Sequence, residues 1–192
     1  MSVSLPSPFD ILDFWWRAGP SRWFARNDGF DKEIRTRFSD AVEASLNGDL
    51  DDWAASPHSA LALILLLDQF PRNIFRDSGE AFAYDAKALA IAKKLIERGL
   101  DRFYLAEQTF VCLPLEHSEE IENQDRSVEL FARMAVEAPD GWKDSKRLGL
   151  DFATRHRDLI RKFGRYPHRN EMLGRDSTDE EKAFIAEHGR GF

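Results

Sequence analysis

Residues 61 to 76 read LALILLLDQFPRNIFR, seven apolar residues in succession followed by a dense polar set. Seven is too few to cross a bilayer, which takes about 20 apolar residues, and suits a helix buried on nearly all sides of a globular domain. Asp68 breaks the pattern. At helical spacing it follows Leu61 and Ile64 on one face, so its carboxylate points where leucines point. It must therefore be neutralised or paired, because an uncompensated buried charge is strongly destabilising. Pro71 then ends the helix, with Arg72, Asn73 and Arg76 in the turn beyond. A similar ending lies near the C-terminus, where Tyr166, Pro167, His168, Arg169 and Asn170 close another helical stretch and Arg175 comes shortly after. Both run aromatic, proline, then an Arg-Asn pair. The pattern marks a candidate site without naming a reaction.

Working outward, Ser7, Pro8 and Asp10 give the first helix its cap, its first residue and an acid at its positive end. Gly19 and Pro20 stop it, and Trp23 and Phe24 are expected to pack back. Phe30, Ile34, Phe38, Val42 and Leu46 recur every four residues and predict a helix over 30–47, closed by Gly48. Trp53 anchors a short turn of helix before Pro57 opens the buried one. After Gly79 a long helix is expected to run to about Arg98, with Gly99 beyond it. Another spans 105–113 until Pro114 kinks or ends it. Ser118 is placed as the cap of the next helix, which carries Ile121, Val128, Phe131 and Ala135 on its apolar side with Gln124 among them. Leu148, Phe152, Leu159 and Phe163 mark a helix over 145–163 with His156 facing inward. Thr178 and Glu181 form a capping box for a last short helix, and Phe192 ends a loosely held tail unless it docks.

No stretch alternates as a strand does. Eight or nine helices joined by Gly- or Pro-marked turns predict an all-α fold of antiparallel helix pairs, within one domain over 1–192 or a tightly fused pair. The 192 residues suffice to bury a sizeable core, and 15 Phe with 5 Trp supply bulky material for it. A net charge of -7 argues against wholesale nucleic-acid binding. From Glu107 to Asp140 there are nine acids and two bases, and from Gly141 to Arg175 ten bases and four acids, so neighbouring blocks of opposite sign attract in a compact fold. One cysteine, Cys112, excludes an intrachain disulfide, and no basic residue precedes Arg17 to start a signal peptide. The cytoplasm is the expected compartment, with no membrane span and no cofactor motif.

With these motifs in place, the chain resembles the largely bacterial family catalogued as domain of unknown function 924. The resemblance rests on LDFWW (12–16) with Trp23 and Phe24, on LALILLLDQFPRNIFR (61–76), AFAYD (81–85) and LPLEHSE (113–119). Gln124 with RSV (126–128) and RKFGRYPHRNEMLGRDST (161–178) extend it over nearly the whole chain. One departure lies at Val111 and Cys112, where the family pattern has an aromatic. The resemblance implies a tetratricopeptide-like, right-handed array of helix pairs and a set of recurring polar residues, and it carries no assigned reaction.

The polar candidates are Asp68, Gln69, Arg72 and Asn73 in the first turn, and Glu116, His117, Glu119 and Gln124 in the middle. His156, Arg165, His168, Arg169 and Asn170 complete the set. In one reading they are ion pairs and caps that close helix ends, Asp68 being neutralised by an arginine of the opposite turn. In the other, the arginines, histidines and amides converge on a carboxylate or phosphate, which planar guanidinium groups match in bidentate fashion. His117 or His156 would then carry the proton in any reaction. A metal site is disfavoured because Glu116 and His117 are adjacent and diverge, whereas helical bundles place Glu and His three apart. Cys112 lies in an apolar run, where a thiol is inert filling. A peptide-binding scaffold of the tetratricopeptide-like kind, with a structural polar cluster, stands as the alternative to a small-anion site or an enzyme.

Overall fold

In the computed structural model, which describes residues 5–189, Ser7 and Asp10 form a reciprocal capping box at the start of α1 (Pro8–Ala18), Pro8 occupying the first turn. The Ser7 N–H donates to the Asp10 carboxylate at 2.8 Å, so an orphan donor of the helix entry is satisfied. After the single turn α2 (Pro20–Trp23), Trp23 does pack back, stacking on Trp15 and donating its indole N–H to the Trp15 carbonyl at 2.7 Å. Phe24 does not; it is 64% exposed. The expected four-residue ladder lies on α3 (Asp28–Asn47), capped by Asn27. Phe30, Ile34, Phe38 and Val42 are buried but Leu46 is exposed. Four residues advance about 400° at 3.6 residues per turn, so the row drifts by about 40° at each step and Leu46 has rotated out of the core.

The opening stretch departs from expectation at its proline. From α4 (Pro57–Ile64) the chain passes through a π turn (Leu65–Gln69) into α5 (Phe70–Ile74), so Pro71 sits inside a continuing helix. Phe70 N–H donates to Leu65 C=O, five residues back, and the wide turn restarts the ladder so that Pro71 falls in the first turn of α5, where its missing N–H costs little. Every residue from Ala60 to Phe70 is buried. The next helix, α6 (Asp85–Glu97), begins later than expected, after a 3-10 turn over Gly79–Phe82. Its first residue, Asp85, is held by Arg72, which anchors the start there. These elements make up the first compact unit, Met1–Arg98.

The second unit, Gly99–Phe192, opens with α7 (Leu105–Glu116). This helix runs through Pro114 instead of ending at Leu113: the proline forgoes its own ladder bond, and His117 N–H resumes the ladder on the Leu113 carbonyl at 2.9 Å. Then α8 (Ile121–Glu137) begins three residues beyond Ser118, with Glu120 at the cap position. Ser118 accepts instead from the Glu120 N–H and from Asn123 at 2.8 Å. Its buried side holds Gln124, Ser127, Leu130, Phe131 and Met134, while Val128 and Ala135 are only half-buried.

A break at Pro139 returns the chain as α9 (Lys143–Phe163), which packs along α8 as a helical hairpin. Gly149 lets the two helices approach closely: a Cβ there would lie 3.1 Å from the Phe131 ring. The buried residues of α9 are Lys146, Ala153, Leu159 and Ile160, with Gly149 half-buried, and Leu148, expected inside, is 56% exposed. Thr178 and Glu181 form the expected capping box of α10 (Asp179–His188). The fold is all-α, with no strand among the described residues. Counting α4 with α5 as one continuous helix gives eight among the described residues, or nine with the single turn α2. No helix among them is long and apolar enough to cross a membrane. The expectation for Phe192 lies outside the described residues.

Candidate functional site

In the first unit, Asp68 is fully buried within the wide turn of the α4–α5 helix, where Gln69 Nε2 donates to it at 2.6 Å and Arg72 pairs with it at 3.3 Å. Arg72 also makes a two-pronged bond to Asp85, at 2.9 and 3.0 Å, and lies over the Phe82 ring. Arg72 thus supplies Asp68 with a counter-charge from its own turn. Asn73 points the other way, donating to buried Asp31 of α3 at 2.8 Å. Arg76 completes a bidentate pair on the same carboxylate. So Asp68, Gln69 and Arg72 come together, and Asn73 joins a separate tie between α3 and the end of α5.

In the second unit, the chain leaves α9 through Gly164 and makes a 3-10 turn over Pro167–Arg169. Its hub is Tyr166, fully buried, whose hydroxyl donates to the Glu116 carbonyl and accepts from Gln124 Nε2 at 2.7 Å. Gln124 also donates to the Glu116 carbonyl at 2.6 Å, which ties the end of α7 to α8, while its own amide oxygen is buried without a partner among the described residues. Around the Tyr166 ring stand three nitrogen-bearing groups: Arg169 at 4.5 Å, His168 at 5.4 Å and His156 at 5.6 Å. Arg169, itself buried, donates to the His117 carbonyl at 3.0 Å. His156 Nδ1 lies 2.8 Å from the Phe152 carbonyl and 3.4 Å from the Glu116 carboxylate. Two acceptors at Nδ1 place the proton there, so Nε2 is the basic nitrogen of the neutral ring.

The remaining candidates form the frame of this turn. Arg175 clasps Glu119 through two bonds, 2.6 and 2.9 Å, and Glu119 also accepts the Tyr166 N–H at 2.8 Å. Burial pushes the Glu119 carboxyl up, but those donors outweigh it and hold it below the ordinary range. Arg165 and Asn170 converge on buried Glu181 at the head of α10. Led by the Arg165 bonds, they hold its carboxyl down to about 2. His168 is driven to about 3, first by burial and then by the fields of Arg169, His156 and Arg175, with only Glu119 opposing. It is a neutral imidazole.

Sequence reasoning did not single out Tyr166 as the hub, nor Glu181 as the acceptor of Arg165 and Asn170. The signal for the first was a hydroxyl: the two turns read Phe70-Pro71 and Tyr166-Pro167, both aromatics fully buried, and a phenol that is buried needs polar partners. Among the described residues no three or more His, Cys, Asp or Glu side chains are arranged to hold a metal ion. Cys112 is fully buried and its thiol is pushed up to about 12 by burial, as befits filling.

Over residues 11–189 the chain matches the model of a family described as bacterial protein of unknown function (DUF924). It is also similar to the solved structure of a protein of unknown function from Agrobacterium tumefaciens, with 39% identity and a TM-score of 0.84 over 94% of this chain and 97% of that one. No curated protein matches it.

Proposed function

We propose that this chain, which belongs to the DUF924 family of bacterial proteins, binds a small anion, a carboxylate or a phosphate, at the second polar turn. The observation that carries the reading is the convergence of Arg169, His168 and His156 on one buried phenol ring within 5.6 Å. The Arg169 guanidinium brings the charge and the N–H donors in a partly dry setting, where charge-assisted hydrogen bonds are strongest, His168 adds a neutral imidazole, and His156 turns its basic Nε2 to a proton that the ligand carries. Arg169 and Arg175 add to burial in keeping the His168 imidazole neutral, with Glu119 opposing. Gln124, Glu116 and Tyr166 are the rigid floor. Glu119 with Arg175, and Glu181 with Arg165 and Asn170, are the walls that keep the turn in shape.

If the protein is an enzyme, His156 is the proton carrier, because its Nδ1 is fixed by Phe152 and Glu116 and its Nε2 is basic. His117 contributes its carbonyl to Arg169 and so positions the guanidinium. In the first turn Arg72 is engaged by Asp68 and Asp85, and Asn73 by Asp31, so the anion reading rests on the second turn. A single buried thiol is in keeping with a reducing compartment such as the cytoplasm.

The test is thermal melting with increasing inorganic phosphate or succinate, for the wild type and for Arg169→Gln. A ligand held only by the folded state at about a hundredfold its Kd adds about 2.7 kcal/mol. The wild type should stabilise with saturation and the variant should not. Equal, non-saturating responses would reduce the cluster to a structural device.

A further inference from the structure

The surroundings of His156 decide where its ring hydrogen sits. Nδ1 faces two acceptors, the Phe152 carbonyl at 2.8 Å and the buried Glu116 carboxylate at 3.4 Å, so Nδ1 carries the hydrogen and Nε2 presents a lone pair. The other neutral groups beside it have committed their protons to the backbone. The Tyr166 hydroxyl donates to the Glu116 carbonyl, and the Gln124 amide nitrogen turns to that same carbonyl at 2.6 Å and to the Ser118 carbonyl at 2.5 Å. Those acceptors fix which arm of the amide is nitrogen, and the Gln124 oxygen is left buried without a partner among the described residues. The cluster is therefore short of protons. What it offers is one strong charge, the Arg169 guanidinium, together with an imidazole lone pair. Both stand on the Tyr166 ring, Arg169 over it at 4.5 Å and His156 in an edge-to-face contact at 5.6 Å, and His168 lies within electrostatic reach of each. The His156 side chain is 15% exposed, so a ligand can reach it from solvent.

Such a pair sorts oxyanions by whether they carry a hydrogen. A fully ionised one accepts from Arg169 but sets an oxygen lone pair against Nε2. Relief then requires a proton on the ring, which the Glu116 charge favours and which burial and the Arg169 charge oppose. An oxyanion that retains a hydrogen needs no such step: it accepts from Arg169 and donates its O–H to Nε2. Resting on the anion reading of the second turn, we infer that this turn selects a phosphate that keeps a hydrogen, as inorganic phosphate does at neutral pH, over a fully ionised oxyanion of the same shape such as sulfate. His156 is the specificity-determining residue. Glu116 is a positioning residue that acts through it, holding the hydrogen on Nδ1.

The experiment is calorimetric titration of the full chain with sodium phosphate and with sodium sulfate at matched ionic strength, at about pH 7.5, where both are largely dianions of one shape and only phosphate carries a hydrogen. Phosphate should bind about tenfold more tightly than sulfate or better, the effect of one hydrogen bond exchanged for one opposed lone pair. This comparison needs no variant. His156→Gln replaces the imidazole by an amide that can turn either its oxygen or its N–H to the ligand, so the two affinities should come within about threefold of each other, which a mere loss of packing would not bring about. Sulfate bound by the wild type as tightly as phosphate would overturn the inference and leave the anion reading in place. A His156→Gln chain that keeps the full preference for phosphate would overturn it too. Saturable binding of neither anion would remove both the anion reading and the inference that rests on it.

Discussion

Lys146→Met should stabilise the protein at neutral pH. Lys146 is 4% exposed, and its ammonium donates to the Leu105 carbonyl at 2.7 Å and the Thr109 hydroxyl at 2.6 Å, with no carboxylate partner among the described residues. Burial pulls its pKa from 10.5 down to about 8. In the unfolded chain the amine regains the higher value, so between pH 8 and 10.5 the unfolded state binds more protons and stability rises with pH. Below pH 8 the full penalty applies, about 3 kcal/mol for a shift of this size. Methionine fills the same volume without charge. What it forfeits is small, because Thr109 Oγ1 already donates to the Leu105 carbonyl at 3.2 Å, so both groups keep a partner and the loss is about 1 kcal/mol. The net expectation is a gain of about 2 kcal/mol at pH 7, read by urea denaturation, shrinking toward pH 10. A variant less stable than the wild type at pH 7, or one whose stability changes with pH from 8 to 10 in parallel with it, would refute the reasoning.

Three further outcomes follow from named contacts. Glu181, held down to about 2 by Arg165, contributes stability that is complete above its ordinary value of 4.5 and is lost as pH falls toward 2. With Arg165 28% exposed and therefore partly screened, that is about 2 kcal/mol, so Glu181→Gln should flatten this limb of an acid titration monitored by urea denaturation. Asp31→Ala leaves Asn73 and Arg76 without their carboxylate and should cost about 3 kcal/mol in the same assay. Cys112 should resist thiol reagents in the native state and react at once in urea, because its thiol is buried and pushed up to about 12.

Where local chemistry decides structure, the sequence was readable. Ser7, Pro8 and Asp10 set the start of α1, and Thr178 with Glu181 set that of α10. The inward placement of Asp68 followed from helical spacing alone. What was not legible depends on packing. A π turn over 65–69 carries no local signature, since its extra residue per turn is stabilised by neighbours, so Pro71 read as a terminator. Leu148 read as core because the close approach at Gly149, which rotates α9 onto Phe131, is a property of two helices together. Of the candidate residues, Arg165 and Asn170 belong to a cap network through Glu181, and Glu119 to a clasp with Arg175. Their residue types alone do not separate such a frame from a ligand-facing group. The Arg169, His168 and His156 trio is visible only once Tyr166 is placed between them.

The most direct measurement on the anion reading is nitrogen NMR of the histidine side chains during a phosphate titration. The imidazole signals of His156 and His168 should move together and saturate with one Kd, those of His58 and His188 should stay in place, and Arg169→Gln should abolish the response. Imidazole signals of His156 and His168 that remain fixed through the titration, or that move equally in the variant, would contradict it.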